Sequence, residues 1–554
     1  MPVPGKNVCL VECSPPLVRA FEESGCRVLS LRPGPDRSLL DLPAELETHG
    51  FEPDIVFQQE NLGRRLFLEG LDALDCPRFF WSVDPHLNAY WHSCYAKLFD
   101  LTFCTQERWR AAVEAFGVRT AHLPWYGHAR PWHPFGDRSH DMAFAGRVTA
   151  QRPMRRRLVE ILAERYAERF IHRNDLTLPQ MLDFYADSRL APNESILGEV
   201  NFRLFETASC GCVPVTQDLG SEQDALFEPG IEAAVYADAA EMRALCDHLL
   251  SDRAASQAMA RAAWERVNRD HLPEHRVARI LELAEEAVST ASNNQQKWLT
   301  LAATRLLESG PSVMDNGELV RRLCQLPADA EVTAAMLRMQ AMADDKAAMA
   351  SSAATVFANT EFATNTDLNL CAATAAMRCG GDTMRELARA ILMRHLRAIG
   401  ARIPDAPQSS GAMLRQWARL LLRQGKIIRH GFPFSAVRHL PGAATDCLVT
   451  SLELEPENLE SLRLMENATR GQRGLEHARS GYLAMLTLHV RDDWRLELES
   501  ALADLRSFRI KQGMETLRYA QDLAIKADAE RAFHRALRAN DPRSFLSGLL
   551  GRPA

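Results

Sequence analysis

The 554-residue sequence predicts an α/β protein, two successive doubly wound parallel-sheet domains followed by an all-α region. Three observations predict it. Over roughly the first 280 residues, short continuous apolar runs alternate with helical stretches, the pattern of parallel strands buried on both faces. The alternation breaks once, in the Pro/His/Gly-rich stretch Trp125 to His140, and then restarts. Beyond the polar segment Ser289–Gln296, strand patterns cease and Ala, Leu, Arg and Met dominate.

Taken in order, the first series of strands is expected at Asn7–Val11, Arg27–Leu31, Asp54–Gln58, Arg78–Ser82, Leu101–Thr105 and Thr120–Pro124, with helices such as Pro16–Ser24 and Glu107–Phe116 between them. Trp125 to His140 reads as a linker. The second series has strands at Asp141–Ala145, Phe170–His172 and Val213–Thr216, the last closed by the Asp218-Leu219-Gly220 turn. Its helices are expected at Met154–Arg169, Pro179–Ser188, Ala240–Ser251 and from Ala254 onward. Such βαβ series build Rossmann-like domains, whose ligands sit beyond the carboxyl ends of the strands. The expected domains are 1–135, 136–288 and a helical 297–554, with a donor cleft between the first two. In the helical part Leu452, Leu454, Leu462 and Leu464 recur 34 positions on as Leu486, Leu488, Leu496 and Leu498, the tetratricopeptide period. Glu455-Pro456-Glu457-Asn458 and Asn540-Asp541-Pro542 resemble the turns between such repeats.

Composition narrows the function. A hydrophobic content of 46% and charged content of 25% suit a soluble globular protein, and a net charge of −7 argues against nucleic acid as a partner. No apolar run reaches the roughly 18–20 residues of a membrane span. Met1–Val11 lacks the features of a secretory signal. The 13 cysteines are scattered singly, which predicts reduced thiols and a cytoplasmic location. The close pair Cys210-Gly211-Cys212 has the wrong spacing for a zinc knuckle, and no metal site is expected. No phosphate-binding Gly-x4-Gly-Lys-Ser/Thr loop and no His-Glu-x-x-His occurs.

The most informative segment is Asn201-Phe202-Arg203-Leu204-Phe205-Glu206-Thr207-Ala208-Ser209-Cys210-Gly211-Cys212, followed by the strand Val213–Thr216, then Leu226-Phe227-Glu228-Pro229-Gly230 and Tyr236. Asn201 is a suitable helix N-cap and Gly211 a suitable stop. Arg203 and Glu206, three apart, share a face on which an ion pair is the simplest reading. The segment resembles the C-terminal domain of CgeB-like glycosyltransferases, which belong with the group 1 (GT4-like) enzymes of GT-B fold. The resemblance spans roughly residues 75–285 and is absent after about 290. It implies that Glu206 accepts hydrogen bonds from the ribose hydroxyls of a nucleotide-diphosphate sugar. The helix N-terminus at Asn201 and the Arg203 guanidinium would face the diphosphate.

Two further segments resemble the family. Asp141-Met142-Ala143-Phe144-Ala145-Gly146-Arg147, then Arg152, is similar to the first strand and glycine loop of that domain. Gly146 would allow close approach of a phosphate, and Arg147 and Arg152 would supply charge to the leaving group. Against this, Arg152 also begins the basic run Arg155-Arg156-Arg157 of a solvated helix. Trp81-Ser82-Val83-Asp84-Pro85-His86 resembles the family's strand ending in Asp-Pro. Asp84 is a candidate catalytic carboxylate or a cap of the following helix; His128, or His86, is the alternative base. Members with two glutamates place seven residues between them. Here that position is Gly198; Glu199 is one residue late and Glu194 further off.

The resemblance implies a metal-independent glycosyltransferase whose chemistry needs no helical module and no cofactor beyond the nucleotide sugar. The helical region would then bind the acceptor, a protein such as flagellin, with lipid-linked or polysaccharide acceptors as rivals. Two other classes are a non-catalytic scaffold and a nucleotide-sugar epimerase. A phosphorylase would need a pyridoxal-binding lysine, and no Lys occurs between Lys97 and Lys297.

Overall fold

The computed structural model describes residues 5–287, 294–402 and 405–551, so most of the expected boundary Ser289–Gln296 and the first four residues lie outside the described residues. Two compact units form, each from two stretches of chain. Unit 1 is Met1–Pro124 with Val277–Ala468, and unit 2 is Trp125–Arg276 with Thr469–Ala554.

Unit 1 holds β1 (Asn7–Val11), β2 (Arg27–Leu31), β3 (Leu39–Asp41), β4 (Ile55–Gln59), β5 (Phe67–Glu69), β6 (Arg78–Ser82), β7 (Leu101–Cys104) and β8 (Thr120–His122). Six of them make one parallel sheet in the order β2-β1-β4-β6-β7-β8, and β3 pairs with β5. The six expected strands are all present, with ends shifted by one or two residues. The three-residue strands β3 and β5 are too short for a periodic signal. β4, β6 and β7 are buried along their whole length because their aromatic side chains pack on one another: Phe57 lies 6.3 Å from Trp81 and 6.1 Å from Phe103, ring to ring.

Unit 2 repeats the plan with β9 (His140–Ala145), β10 (Phe170–Arg173), β11 (Ser188–Pro192), β12 (Val213–Gln217) and β13 (Ala234–Tyr236), all parallel in the order β10-β9-β11-β12-β13. The central strand β11 is a correction. The helix expected to run to Ser188 stops at Ala186, and Ser188 begins a buried strand between β9 and β12. The stretch expected as a linker is not free either. Trp125 stacks on Phe202, and the His128 N–H donates to Ser209 Oγ at 2.8 Å. Gly127 fits there because a Cβ would strike Ser209 Oγ and Val267.

The two parallel-sheet domains are followed by helices alone, with no strand among the described residues after 294. These helices are not an appendage. Leu299, Leu306, Leu319 and Val332 share one core with Phe67, Phe80, Trp91 and Tyr95 of unit 1. Arg305 Nη1 donates to the Tyr90 carbonyl at 2.9 Å, and Tyr90 Oη donates to Glu308 at 3.0 Å. In unit 2, Trp494, Leu498 and Phe533 pack with Ala240 of the helix Ala239–Ser251. The 34-residue recurrence falls on four consecutive helices, Ala444–Leu454, Leu459–Thr469, Glu476–His489 and Trp494–Arg506. Leu462, Leu486 and Leu498 are buried, but Leu454 and Leu488 are 56% and 73% exposed, so that position of the recurrence is not a core position. Asn458 and Asp541 do serve the turns: Asn458 Oδ1 accepts the Ser461 N–H, and Asp541 accepts those of Phe545 and Ser547. All 13 cysteines are free, and among the described residues no helix is long and apolar enough to cross a membrane.

Candidate functional site

The loop from β11 at residue 193 to the helix Phe202–Ser209 carries the most constrained polar groups of unit 2. Asn193 is its hub. Its N–H donates to the Val215 carbonyl at 2.7 Å, and its own carbonyl accepts the Tyr236 hydroxyl at 2.5 Å. Its side chain pairs with that of Asn201 by reciprocal amide bonds of 3.0 and 3.1 Å. Asn201 therefore occupies the N-cap position without capping. Its side chain turns to Asn193 and the Glu194 carbonyl. The Phe202 and Arg203 N–H groups, which begin the helix, find no acceptor among the described residues. They leave donors and the positive end of the helix dipole available to an anion.

Arg203 does not pair with Glu206. Its Nη1 donates to Asn193 Oδ1 at 2.7 Å, its Nη2 to the Ala145 carbonyl at 2.9 Å and its Nε to Tyr185 Oη at 3.2 Å. The guanidinium lies 4.3 Å from the Phe144 ring centre. Three of its five donors are thus engaged in joining the ends of β9 and β11, so its first role is to shape the loops. Glu206 is left half-buried with no hydrogen bond or ion pair among the described residues. Burial pushes its carboxyl up to about 7 against the opposing pull of Arg203.

Gly146 closes β9 at φ 144°, a region L side chains rarely adopt, and a Cβ there would sit 3.0 Å from Arg203 Nη2. Beyond it Arg147 is exposed, and Arg152 is half-buried at the N-cap position of the helix Pro153–Tyr166. The basic run that follows is not wholly solvated. Arg155 is 5% exposed, and its Nε donates to the buried Glu194 carboxylate at 2.9 Å. Glu199 is also engaged: its carboxylate accepts the Ile196 and Leu197 N–H groups at 2.9 and 2.8 Å, holding the loop rather than facing a ligand. Asn193, Tyr185 and Arg155 were not singled out as site residues from sequence. Asn193 stands eight residues ahead of the Asn201 motif, and only the fold brings it to Arg203.

His128 is half-buried, and burial, then Arg130, hold its imidazole below the usual histidine range. It is therefore neutral at pH 7 and able to accept a proton. In unit 1, Asp84 is half-buried at the N-cap position of the helix Pro85–Tyr95, but its side chain does not cap it. The loop is held instead by Glu60, whose buried carboxylate accepts the Val83 and Asp84 N–H groups at 2.8 and 2.9 Å and Asn88 Nδ2 at 2.7 Å. His86 is 4% exposed against Trp109, less accessible than His128. Among the described residues no three His, Cys, Asp or Glu side chains gather as metal ligands.

Similarities to known proteins bear on this arrangement. No curated protein matches the chain in sequence. Solved structures do align with it. Sucrose-phosphate synthase from Thermosynechococcus elongatus aligns at 11% identity over 51% of this chain and 98% of its own, with a TM-score of 0.39. Anabaena HepE, in complex with UDP and glucose, aligns at 12% identity over 51% and 100%, with a TM-score of 0.33. The pneumococcal O-GlcNAc transferase GtfA, in complex with UDP and GlcNAc, aligns at 11% over 44% and 59%, also with a TM-score of 0.33. Residues 147–282, which contain Arg147, Arg152, Asn201, Arg203 and Glu206, match the family model described as glycosyl transferase-like.

Proposed function

We propose that this chain is a GT-B glycosyltransferase of the CgeB-like, GT4-like kind, moving a sugar from a nucleotide-diphosphate donor to an acceptor hydroxyl without a metal. The observation that carries the reading is the unpaired Glu206 carboxylate, on the helix whose first N–H groups are open, within the segment 147–282. In this reading Glu206 accepts two hydrogen bonds from the ribose diol. The Phe202 and Arg203 N–H groups, Arg147 and Arg152 receive the diphosphate, with Gly146 giving it room.

The bond from the anomeric carbon to the diphosphate oxygen breaks, and the charge gathering on that oxygen is met by these donors and cations. The acceptor oxygen forms the new bond, and its proton passes to a base. Asp84 and neutral His128 are the two candidates. A polypeptide acceptor, such as flagellin, fits a chain whose helical part after residue 294 spans nearly half the length, since paired helices present extended surfaces. The test is a nucleotide-sugar panel read by thermal shift and calorimetry. One donor should raise the melting temperature, and Glu206→Ala should remove most of that affinity while the variant stays folded. Unchanged affinity in folded Glu206→Ala would overturn the assignment.

A further inference from the structure

A cavity of about 310 Å³ lies wholly within unit 2, at the carboxyl ends of β12 and β13. Its floor includes Gln217 and Asp218, the end of β12 and the residue after it. Its far wall comes from the helical part of the chain: Arg473, Glu476, Arg506 and Asn540. The wall is built against the sheet domain. Gly474, at φ 84°, lies so close to the loop after β11 that a Cβ would strike the Ile196 carbonyl and Leu197 Cα. Arg473 Nη1 donates to the Asp218 carbonyl.

Two charged groups of this wall keep unused hydrogen-bonding capacity. Glu476 Oε2 is buried without a hydrogen-bond partner. Arg506 makes bonds to Asn540 through Nη2 alone, at 3.3 Å to Oδ1 and 3.4 Å to the carbonyl. A buried carboxylate oxygen without a donor costs about 1–3 kcal/mol or more, and such a group calls for an occupant. An occupant that donates to the carboxylate and accepts from the guanidinium would match both, and a molecule carrying hydroxyls and an anionic group supplies that pair. No aromatic side chain lines the cavity, so it offers no stacking face for a nucleobase. Its volume is at the small end of ligand sites, about 300 Å³ and upward.

We propose that this cavity is a second ligand site, for a phosphorylated monosaccharide, with Arg506 and Arg473 receiving the phosphate and Glu476 and Asn540 the sugar hydroxyls. The site does not use Glu206, although Gly198 of the loop after β11 lines it, and sequence motifs do not mark it, because its two walls lie some 250 residues apart in the chain.

The experiment is calorimetry on the full chain with glucose 1-phosphate and glucose 6-phosphate, with inorganic phosphate and free glucose as component probes. A hexose phosphate should bind saturably and at least tenfold more tightly than either component. Arg506→Ala and Glu476→Gln should each weaken that binding tenfold or more, while Glu206→Ala leaves it unchanged. If Arg506→Ala does not fold, Arg506→Lys, which keeps the charge but loses the planar fork, should weaken binding by a few-fold. No hexose-phosphate binding, binding matched by inorganic phosphate, binding indifferent to the Arg506 and Glu476 variants, or binding lost in Glu206→Ala would each overturn the proposal.

Discussion

Arg203 and Glu206 lie one turn apart on the same helix, yet they form no ion pair. The arginine is held by Asn193, Ala145 and Tyr185, and among the described residues no group hydrogen-bonds to or pairs with the carboxylate. A glutamate in this state is poised to exchange its proton for a ligand.

Donor binding should therefore depend on pH. Burial pushes the folded carboxyl up to about 7, and the two hydroxyls of a ribose diol can donate to it together most strongly in its ionised form, since the protonated carboxyl turns one oxygen into a donor. Affinity should be level above about pH 7.5 and fall towards tenfold per pH unit below about 6.5, with proton release on binding. Calorimetry from pH 8 to pH 5.5 in buffers of different ionisation enthalpy measures both, and Glu206→Gln should flatten the profile.

The same shift bears on stability. The folded value is raised above the ordinary 4.5, so the native state binds the extra proton between about pH 4.5 and 7, and stability is lost as pH rises through that window. Glu206→Gln should thus stabilise the protein by roughly 1 kcal/mol at pH 8, after allowing for solvent screening of a half-buried group, and by nothing at pH 4. Urea titrations at the two pH values check the sign.

Gly146→Ala should damage both fold and site. The substitution strains the backbone at φ 144° and crowds Arg203, at a cost of about 1–3 kcal/mol. We expect a lower melting temperature and at least tenfold weaker nucleotide-sugar binding. A variant with wild-type values of both would show that the β9 loop tolerates a side chain.

Arg155→Ala leaves the Glu194 carboxylate buried and alone, which costs about 3–5 kcal/mol. The double variant Arg155→Met with Glu194→Gln removes both charges and should recover most of the loss. Chemical denaturation of the single and double variants gives the comparison directly.

Cutting the chain near Ser292 should abolish folding rather than only acceptor transfer. It removes Leu299, Leu306, Leu319 and Val332 from the core they share with Trp91 and Tyr95. Each large side chain contributes about 1.5–3 kcal/mol of burial, so these four alone contribute about 6–12 kcal/mol, as large as the margin of about 5–15 kcal/mol by which domains are stable. A 1–292 fragment that is monomeric and melts cooperatively would show that the α/β part supports itself.

Local pattern encodes part of this fold. Short continuous apolar runs bounded by turn residues favour buried parallel strands, so β1, β6, β9 and β12 were legible to within a residue or two. The motif from Asn201 to Tyr236 marked the helix that carries Glu206. β11 was not legible, because Ser188-Arg189-Leu190-Ala191-Pro192 has neither alternation nor length, and only its place between β9 and β12 makes it a strand. Tertiary structure alone decided which charges were left without partners. Helical spacing allows Arg203 to meet Glu206, but Asn193, Ala145 and Tyr185 reach it from other strands and helices. The same holds for Arg155, buried against Glu194 rather than solvated in its basic run. It holds too for the helical half, whose apolar faces complete the cores of both units. Periodicity shows that a helix has a face to bury; which surface buries it depends on contacts hundreds of residues away, and those exist only once the chain has folded.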